Sequence, residues 1–205
     1  MATRWQPLDE QDDGFGWALR ERMRRTSHAL RVDGRVWLID PIDTAELEGR
    51  VRALGEPAGV LQLLDRHNRA CAAWAERLHV PLRRAWEGVG DTPFRALRVC
   101  DNRFWREVAL WEPQSRTLVC ADALGTIPYF RADGERIGVH PLLRLRPPRA
   151  LGAVAPERVL VGHGDGVHVD AAAAVSEALG TARRRLPRAI AGAVSAARRG
   201  SAAST

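Results

Sequence analysis

A carboxylate, an imidazole and two guanidinium groups stand together at the end of an apolar segment of this chain. Residues 60–64 are apolar apart from one glutamine, and Asp65, Arg66, His67 and Arg69 follow directly. Groups of these types bind metal ions or anions. In α/β units, ligands bind at the carboxyl ends of the strands, which is where such a polar turn lies. The stretch therefore predicts a ligand site, although a turn histidine that bonds only to backbone would give the same local pattern.

The elements that would position these groups can be read from the flanking pattern. Residues 70–78 place apolar side chains at helical spacing, and Val80-Pro81-Leu82 opens a new extended segment. The stretch is thus predicted to form a buried strand, a polar turn, a helix and a second strand.

This layout resembles the central motif of the metallo-β-lactamase fold family, in which a strand ends in Thr-His-x-His-x-Asp-His. His67 matches the second histidine of that motif, and Asp65 stands at the position of the first. Arg69 stands at the aspartate position and Ala70 at that of the last histidine. The resemblance implies an α/β (α+β) fold, a four-layer αββα sandwich of the metallo-β-lactamase type.

Two further segments resemble later signatures of the same family. Asp122 ends an apolar strand pattern and matches an aspartate that bridges two metal ions, and His163 matches the ligand in a Gly-His-Gly motif. A further histidine of the family would fall near Arg103, with Asp101 and Asn102 beside it. That ligand is therefore missing.

The resemblance implies four metal ligands: Asp65, His67, Asp122 and His163. Two carboxylates and two imidazoles suit one zinc, iron or manganese ion. A second ion is not expected, because Ala70 offers no ligand atom and Arg69 is a permanent cation. The alternative is a site without metal, in which Arg69 fills the vacant space and pairs with Asp122 or Asp65.

By the same resemblance the chain is expected to be a mononuclear metal-dependent hydrolase. Its catalytic residues would be Asp122, as ligand or general base, and Arg69, as an electrostatic clamp for a small anionic substrate or an oxyanion. The alternative is a non-catalytic protein of the same fold, whose arginine-lined pocket uses Arg66, Arg69 and Arg103 to bind an anion or a partner. The thiols of Cys71 and Cys120 could approach the site, but we expect both cysteines to be small buried apolar residues.

The remaining elements follow from strand, turn and helix signals. A short strand is predicted around Phe15 and Trp17. Three hairpins are predicted: the first turns at Asp33-Gly34 and has Asp40 at its end, the second turns at residues 112–115, and the third lies between Tyr129-Phe130 and Ile137-Gly138-Val139. Two helices are predicted, one from Thr44 to Leu54 and a terminal one from about Ala171 to Arg185. We expect one domain, residues 1–186, followed by an Arg/Ala-rich tail, residues 187–205, that is partly helical or disordered.

The net charge of +6 is confined to the end of the chain. All 31 basic residues are arginine, and six of them follow Gly180 without a single acid. Residues 1–180 carry 25 arginines and 25 acids, so their charges balance. Contact with nucleic acid is therefore expected only through the Arg-rich tail.

The cysteines and the apolar segments bear on the compartment. Three cysteines without Cys-x-x-Cys spacing argue against a disulfide framework and fit a reducing environment. The first residues contain no apolar region of a signal peptide, and no apolar run reaches membrane-spanning length. A cytoplasmic protein without a membrane partner is expected.

Overall fold

Two mixed β-sheets form the centre of the protein. The computed structural model describes residues 5–192. The first sheet has six strands in the order β1 to β6: Trp5–Gln11, Gly14–Leu19, Thr26–Val32, Arg35–Ile39, Glu56–Gln62 and Leu82–Arg84. Its first four strands are antiparallel neighbours, and β4, β5 and β6 run parallel.

The second sheet has four strands in the order β12-β9-β8-β7. They are β7 (Arg95–Asn102), β8 (Trp105–Glu112), β9 (Thr117–Cys120) and β12 (Arg158–Val161). Strand β12 pairs with β9 in parallel, and the other pairs are antiparallel. A small additional ladder joins β10 (Leu124–Gly125) to β11 (Gly138–Val139).

Alternation along the strands gives each sheet one face toward the other sheet and one toward helices. In β4, Trp37 belongs to the cluster between the sheets and Leu38 to the cluster beneath the helices α1 (Glu48–Leu54) and α2 (Cys71–Leu78). In β8, Leu110 faces the first sheet and Trp111 lies in the cluster that includes the helix α3 (Ala171–Thr181). Successive side chains of a strand point to opposite faces, so both faces must be covered. The predicted four-layer αββα sandwich is confirmed.

Several predicted elements have different bounds. The helix expected from Thr44 begins as a 3-10 turn at Ala45–Leu47, and the Thr44 hydroxyl donates to the Ile42 carbonyl instead of capping the helix. The terminal helix ends at Thr181, and a turn over residues 182–185 replaces its predicted last turn. Strand β1 was not predicted, because it has no clear alternation of apolar and polar residues.

The third predicted hairpin is wrong. Gly138–Val139 pairs with Leu124–Gly125, and Phe130 closes a turn by donating its backbone N–H to the Ile127 carbonyl. A Cβ atom on Gly138 would lie 2.2 Å from the Phe130 carbonyl oxygen, so the two backbones cross in close contact rather than as paired strands. The first and second predicted hairpins are present, as β3–β4 and β8–β9.

The beginning of the tail contacts the domain. Residues 186–192 are helical, whereas residues 193–205 lie outside the described part of the chain. Among residues 188–192, Ala189 is the one that is buried. No described helix is long and apolar enough to cross a membrane.

Deleting the residues after Pro187 should lower the melting temperature by only a few degrees. Among the described residues that are lost, Ala189 is the one that is fully buried, and its methyl group is worth about 1 kcal/mol, whereas Ile190 is 49% exposed. For a domain of this size, about 1 kcal/mol corresponds to roughly 2–4 °C. Thermal melts of the truncated and the full chain measure the difference. Insoluble truncated protein would contradict the prediction.

Candidate metal centre

Asp40 directly follows β4, and its carboxylate orients the first histidine of the site. Its backbone has φ 44°, and its side chain is 3% exposed. The carboxylate oxygen Oδ1 accepts the backbone N–H of Leu63 at 2.9 Å, and Oδ2 lies 2.9 Å from Nδ1 of His67. The sharp turn after an apolar strand thus places a buried carboxylate against the turn that carries His67.

His67 lies in the turn between β5 and α2 and is buried. Because Oδ2 of Asp40 is an acceptor, Nδ1 of His67 carries the proton and donates it. In the neutral ring, Nε2 then bears a lone pair. This atom lies 3.1 Å from Oδ1 of Asp122.

His163 follows β12 and is oriented in the same way. Its Nδ1 donates to the carbonyl oxygen of Met23 at 2.7 Å, and its Nε2 lies 3.2 Å from Oδ1 of Asp122. The ring of Phe130 stacks on it with centroids 5.5 Å apart. The glycine before it is required, since a Cβ atom on Gly162 would lie 2.7 Å from the Ala121 carbonyl oxygen.

Asp122 follows β9 and stands between the two imidazoles. Its Oδ1 is enclosed and makes no hydrogen bond of acceptable geometry within the described residues. One ligand atom from each of His67, Asp122 and His163 lies within 4.8 Å of the others. The described structure therefore brings three metal-ligand groups to one point.

These three atoms all present lone pairs when the imidazoles are neutral. Such an arrangement is repulsive unless positive charge, in the form of protons or of a metal ion, lies between them. Burial opposes ionisation of Asp122, and yet the adjacent imidazoles of His163 and His67 bring its pKa well below the ordinary value. Burial and the charge of Arg69 oppose protonation of His67, but the carboxylates of Asp40 and Asp122 raise its pKa. The donor set of two imidazoles and one carboxylate fits zinc, iron or manganese.

Comparisons with known proteins bear on the fold. No protein-family model and no curated relative matches the sequence. Among solved structures, the DIM-1 metallo-β-lactamase superimposes with a TM-score of 0.58 at 12% identity, over 90% of this chain and 98% of that one. The TMB-1 metallo-β-lactamase gives a TM-score of 0.55 at 12% identity, over 91% and 99%.

The chain has the metallo-β-lactamase fold. Within this fold, His67, Asp122 and His163 come together as the sequence predicted. At this identity the likeness establishes the architecture, and the chemistry must be argued from the residues of this chain.

Asp65 does not join the other three predicted ligands. The carboxylate oxygen Oδ2 of Asp65 accepts the backbone N–H of Arg106 at 3.2 Å, and its Oδ1 lies 3.6 Å from Nε of Arg66. The backbone N–H of Asp65 also donates to the carbonyl of Arg106. The residue is thus held against β8, and it is not part of the group of three ligand atoms.

Arg69 lies beside the three ligands and is held by backbone carbonyls. Its Nη1 donates to the carbonyl oxygens of Thr26 and Asp40, and its Nη2 donates to that of Gly162 at 3.2 Å. Nη2 is also 3.5 Å from Nε2 of His67. The ion pairs predicted between Arg69 and Asp122 or Asp65 do not form. The guanidinium instead joins strand ends from both sheets.

The residues around the site divide into two groups. Trp105 is buried, with its ring 4.8 Å from that of His140, whereas Phe104 and Arg103 lie at the exposed tip of the β7–β8 hairpin. Burial raises the pKa values of the thiols of Cys71 and Cys120, which pack as small apolar residues.

The role of Glu107 was not predicted from the sequence. This residue lies in β8 with no exposed surface, and its Oε1 accepts the backbone N–H groups of Asp122 and Ala123 at 2.9 and 2.8 Å. Burial and the nearby carboxylate of Asp122 raise the pKa of Glu107 to about 8. A glutamate inside an apolar strand could have been recognised as unusual, but its partners lie fifteen residues away in another strand end.

His140 makes the protein sensitive to acid. Burial lowers the pKa of His140 to about 4, and its Nδ1 accepts the backbone N–H of Leu142. A depressed histidine pKa contributes stability that is complete above the unfolded value near 6.5 and is lost as the pH falls toward 4. The difference between the unfolded and folded pKa values of His140 corresponds to about 3 kcal/mol of folding free energy.

Replacing His140 with asparagine should therefore flatten the acid limb of the stability curve. Asparagine retains an acceptor for the Leu142 N–H but does not titrate. We expect the variant to be less stable than the wild type at pH 7.5, with the difference shrinking toward pH 4.5. Urea unfolding of the metal-free proteins at both values measures this. A difference that is independent of pH would refute the assignment.

Proposed function

We propose that this chain is a mononuclear metal-dependent hydrolase in which His67, Asp122 and His163 hold one zinc, iron or manganese ion. The observation that supports the proposal is the convergence of two Nε2 lone pairs on an otherwise unbonded carboxylate oxygen. In both imidazoles the opposite nitrogen, Nδ1, is committed to an acceptor, which fixes the tautomer that a metal ion requires.

When bound, an ion of this class acidifies water and polarises the bond under attack. The residues of the chain have the remaining tasks. Asp40 holds His67 in the tautomer that exposes Nε2. Both imidazoles approach Oδ1 of Asp122, which leaves its second oxygen, Oδ2, to accept a proton from the attacking water. Asp122 thus combines the roles of ligand and general base.

Arg69 contributes charge rather than a direct hydrogen bond to substrate. Four contacts to carbonyl oxygens and to His67 occupy its Nη atoms. A permanent cation beside the site attracts an anionic substrate and favours negative charge that develops in the transition state. We therefore propose a small anionic substrate.

The proposal is tested with protein purified without chelator or added metal. Elemental analysis should find up to one equivalent of ion, and the loaded protein should hydrolyse at least one member of a panel of phosphate esters, carboxylic esters, thioesters and β-lactams. Chelator should abolish the activity, and Asp122→Asn should lose it even when metal is supplied. Substoichiometric metal together with inactivity after loading would contradict the proposal.

A non-catalytic anion-binding protein is the second candidate. A cavity of 520 Å³ beside the site is lined by Leu19, Arg20, Glu21, Arg25, Ile42, Asp43, Arg69 and Ala70. The three guanidinium groups favour an anion, but the two carboxylates in the same lining offset most of their charge. This candidate predicts saturable binding of a small anion such as phosphate by metal-free protein, with no hydrolysis.

A further inference from the structure

Glu107 is a buried carboxylate whose partners are all N–H donors. Oε1 accepts from the backbone nitrogens of Asp122 and Ala123, and Oε2 accepts from the indole Nε1 of Trp105 at 2.8 Å. None of the ion pairs of the described residues includes Glu107. A buried carboxylate is costly unless its oxygens are satisfied, and here three N–H groups satisfy them.

Two of those three donors belong to the turn that carries a proposed metal ligand. The direction of the Asp122 side chain depends on the backbone of residues 121–123, and Glu107 holds two consecutive N–H groups of that turn. The Asp122 carboxylate must point between the imidazoles of His67 and His163, so a small rotation of the turn would withdraw Oδ1 from both.

The third donor connects the same carboxylate to the wall of the site. The ring of Trp105 meets His140 edge-on with centroids 4.8 Å apart, and the guanidinium of Arg66 lies 4.6 Å from its centre. Glu107 therefore binds the ligand-bearing turn and the aromatic wall through its two oxygens at once.

We infer that Glu107 is the positioning residue of the metal centre, because it fixes Asp122 through two backbone hydrogen bonds and is itself oriented by Trp105. This inference rests on the proposed metal site. Replacing a residue that orients a metal ligand typically lowers the metal affinity about 10- to 100-fold.

Glu107→Gln tests the inference with nearly unchanged shape. Its amide oxygen can still accept from Asp122 and Ala123, but its amide N–H₂ then faces the indole N–H of Trp105, donor against donor. We expect zinc to bind this variant about 10- to 100-fold more weakly than it binds the wild type. Trp105→Phe removes the opposing donor, so Trp105→Phe/Glu107→Gln should bind zinc more tightly than Glu107→Gln alone.

Glu112→Gln is a matched control in the same strand. Glu112 is 2% exposed, and its carboxylate likewise accepts two backbone N–H groups, those of Gln114 and Ser115, in a turn remote from the site. Its substitution should lower the melting temperature without changing zinc affinity. Cobalt(II) supplies a second readout, because a displaced carboxylate ligand alters the visible spectrum of the ion, whereas a loss of stability alone does not.

Each outcome decides the inference. If the wild type binds zinc and Glu107→Gln binds it equally, or if Glu112→Gln weakens binding as much, the inference is wrong and the proposed function stands. If the wild type binds none of zinc, iron and manganese, the proposed function fails and the inference with it. Should Glu107→Gln not fold, Glu107→Asp supplies the test, because it keeps the carboxyl group but withdraws both oxygens by one methylene. This variant should show the same loss of zinc affinity, and wild-type affinity in it would overturn the inference.

Discussion

Zinc or manganese should raise the melting temperature of the wild-type protein by several degrees and leave a His67→Ala/His163→Ala variant unmoved. An ion that binds only the folded state adds RT ln(1 + [L]/Kd), roughly 2.7 kcal/mol at a hundredfold excess over Kd. In a domain of this size that corresponds to roughly 5–10 °C. The double variant retains Asp122 alone of the three ligand groups and should bind nothing.

The stoichiometry of this effect should be one ion per chain. Arg69 lies 3.5 Å from Nε2 of His67, so its charge opposes a second ion on that side of the site. Replacing the exposed His79 with asparagine controls for metal bound by surface imidazoles and should leave the shift intact. An equal shift in the double variant would mean that the metal binds elsewhere.

Replacing Arg69 with methionine should destabilise the protein by about 3–5 kcal/mol. The substitution leaves the carbonyl oxygens of Thr26, Asp40 and Gly162 without their donor. It also removes the cation that offsets the buried carboxylates of Asp40 and Asp122. Removing one partner from a buried network lowers the free energy of unfolding by more than the whole network adds to it. The reason is that the remaining groups stay buried without a partner.

Arg66→Met is the control for this experiment. Arg66 precedes Arg69 by three positions, is exposed, and donates to the carbonyl of Phe104. Exposed pairs of this kind contribute about 0–1 kcal/mol. Chemical unfolding of both variants measures the difference. If Arg69→Met lowers the free energy of unfolding no more than Arg66→Met does, the carbonyl contacts of Arg69 do not stabilise the fold.

The positions of three ligands could be predicted because each ends an apolar strand. Strand ends are visible in the sequence as a change from apolar to polar residues, and the parallel pairing of β12 with β9 brings the ends that carry Asp122 and His163 to one edge. His67 follows from the same signal at the end of β5. The layers of the sandwich follow from the alternation along β4 and β8.

The orientation of Asp65 could not be predicted from its place in the sequence. Its position next to His67 suggested a shared site, but Leu64 forms a bridge with Glu107 in β8, and this pairing turns the Asp65 carboxylate toward Arg106. Such a bridge joins residues more than forty positions apart, and no local pattern encodes it. The contact between Glu107 and Asp122 was not foreseen either, because it joins β8 to the turn after β9, fifteen residues further along the chain.

The parallel pairing of β9 with β12 also determines when the site can exist during synthesis. The chain must be synthesised through β12 and His163 before the two strands can meet, and His67 and Asp122 precede both in the sequence. Long-range parallel pairing is slow, because the intervening loop must close before any contact forms. In a nascent chain that ends before β12, Asp122 therefore lacks the imidazole of His163, and the proposed metal site is complete only once β12 has paired with β9.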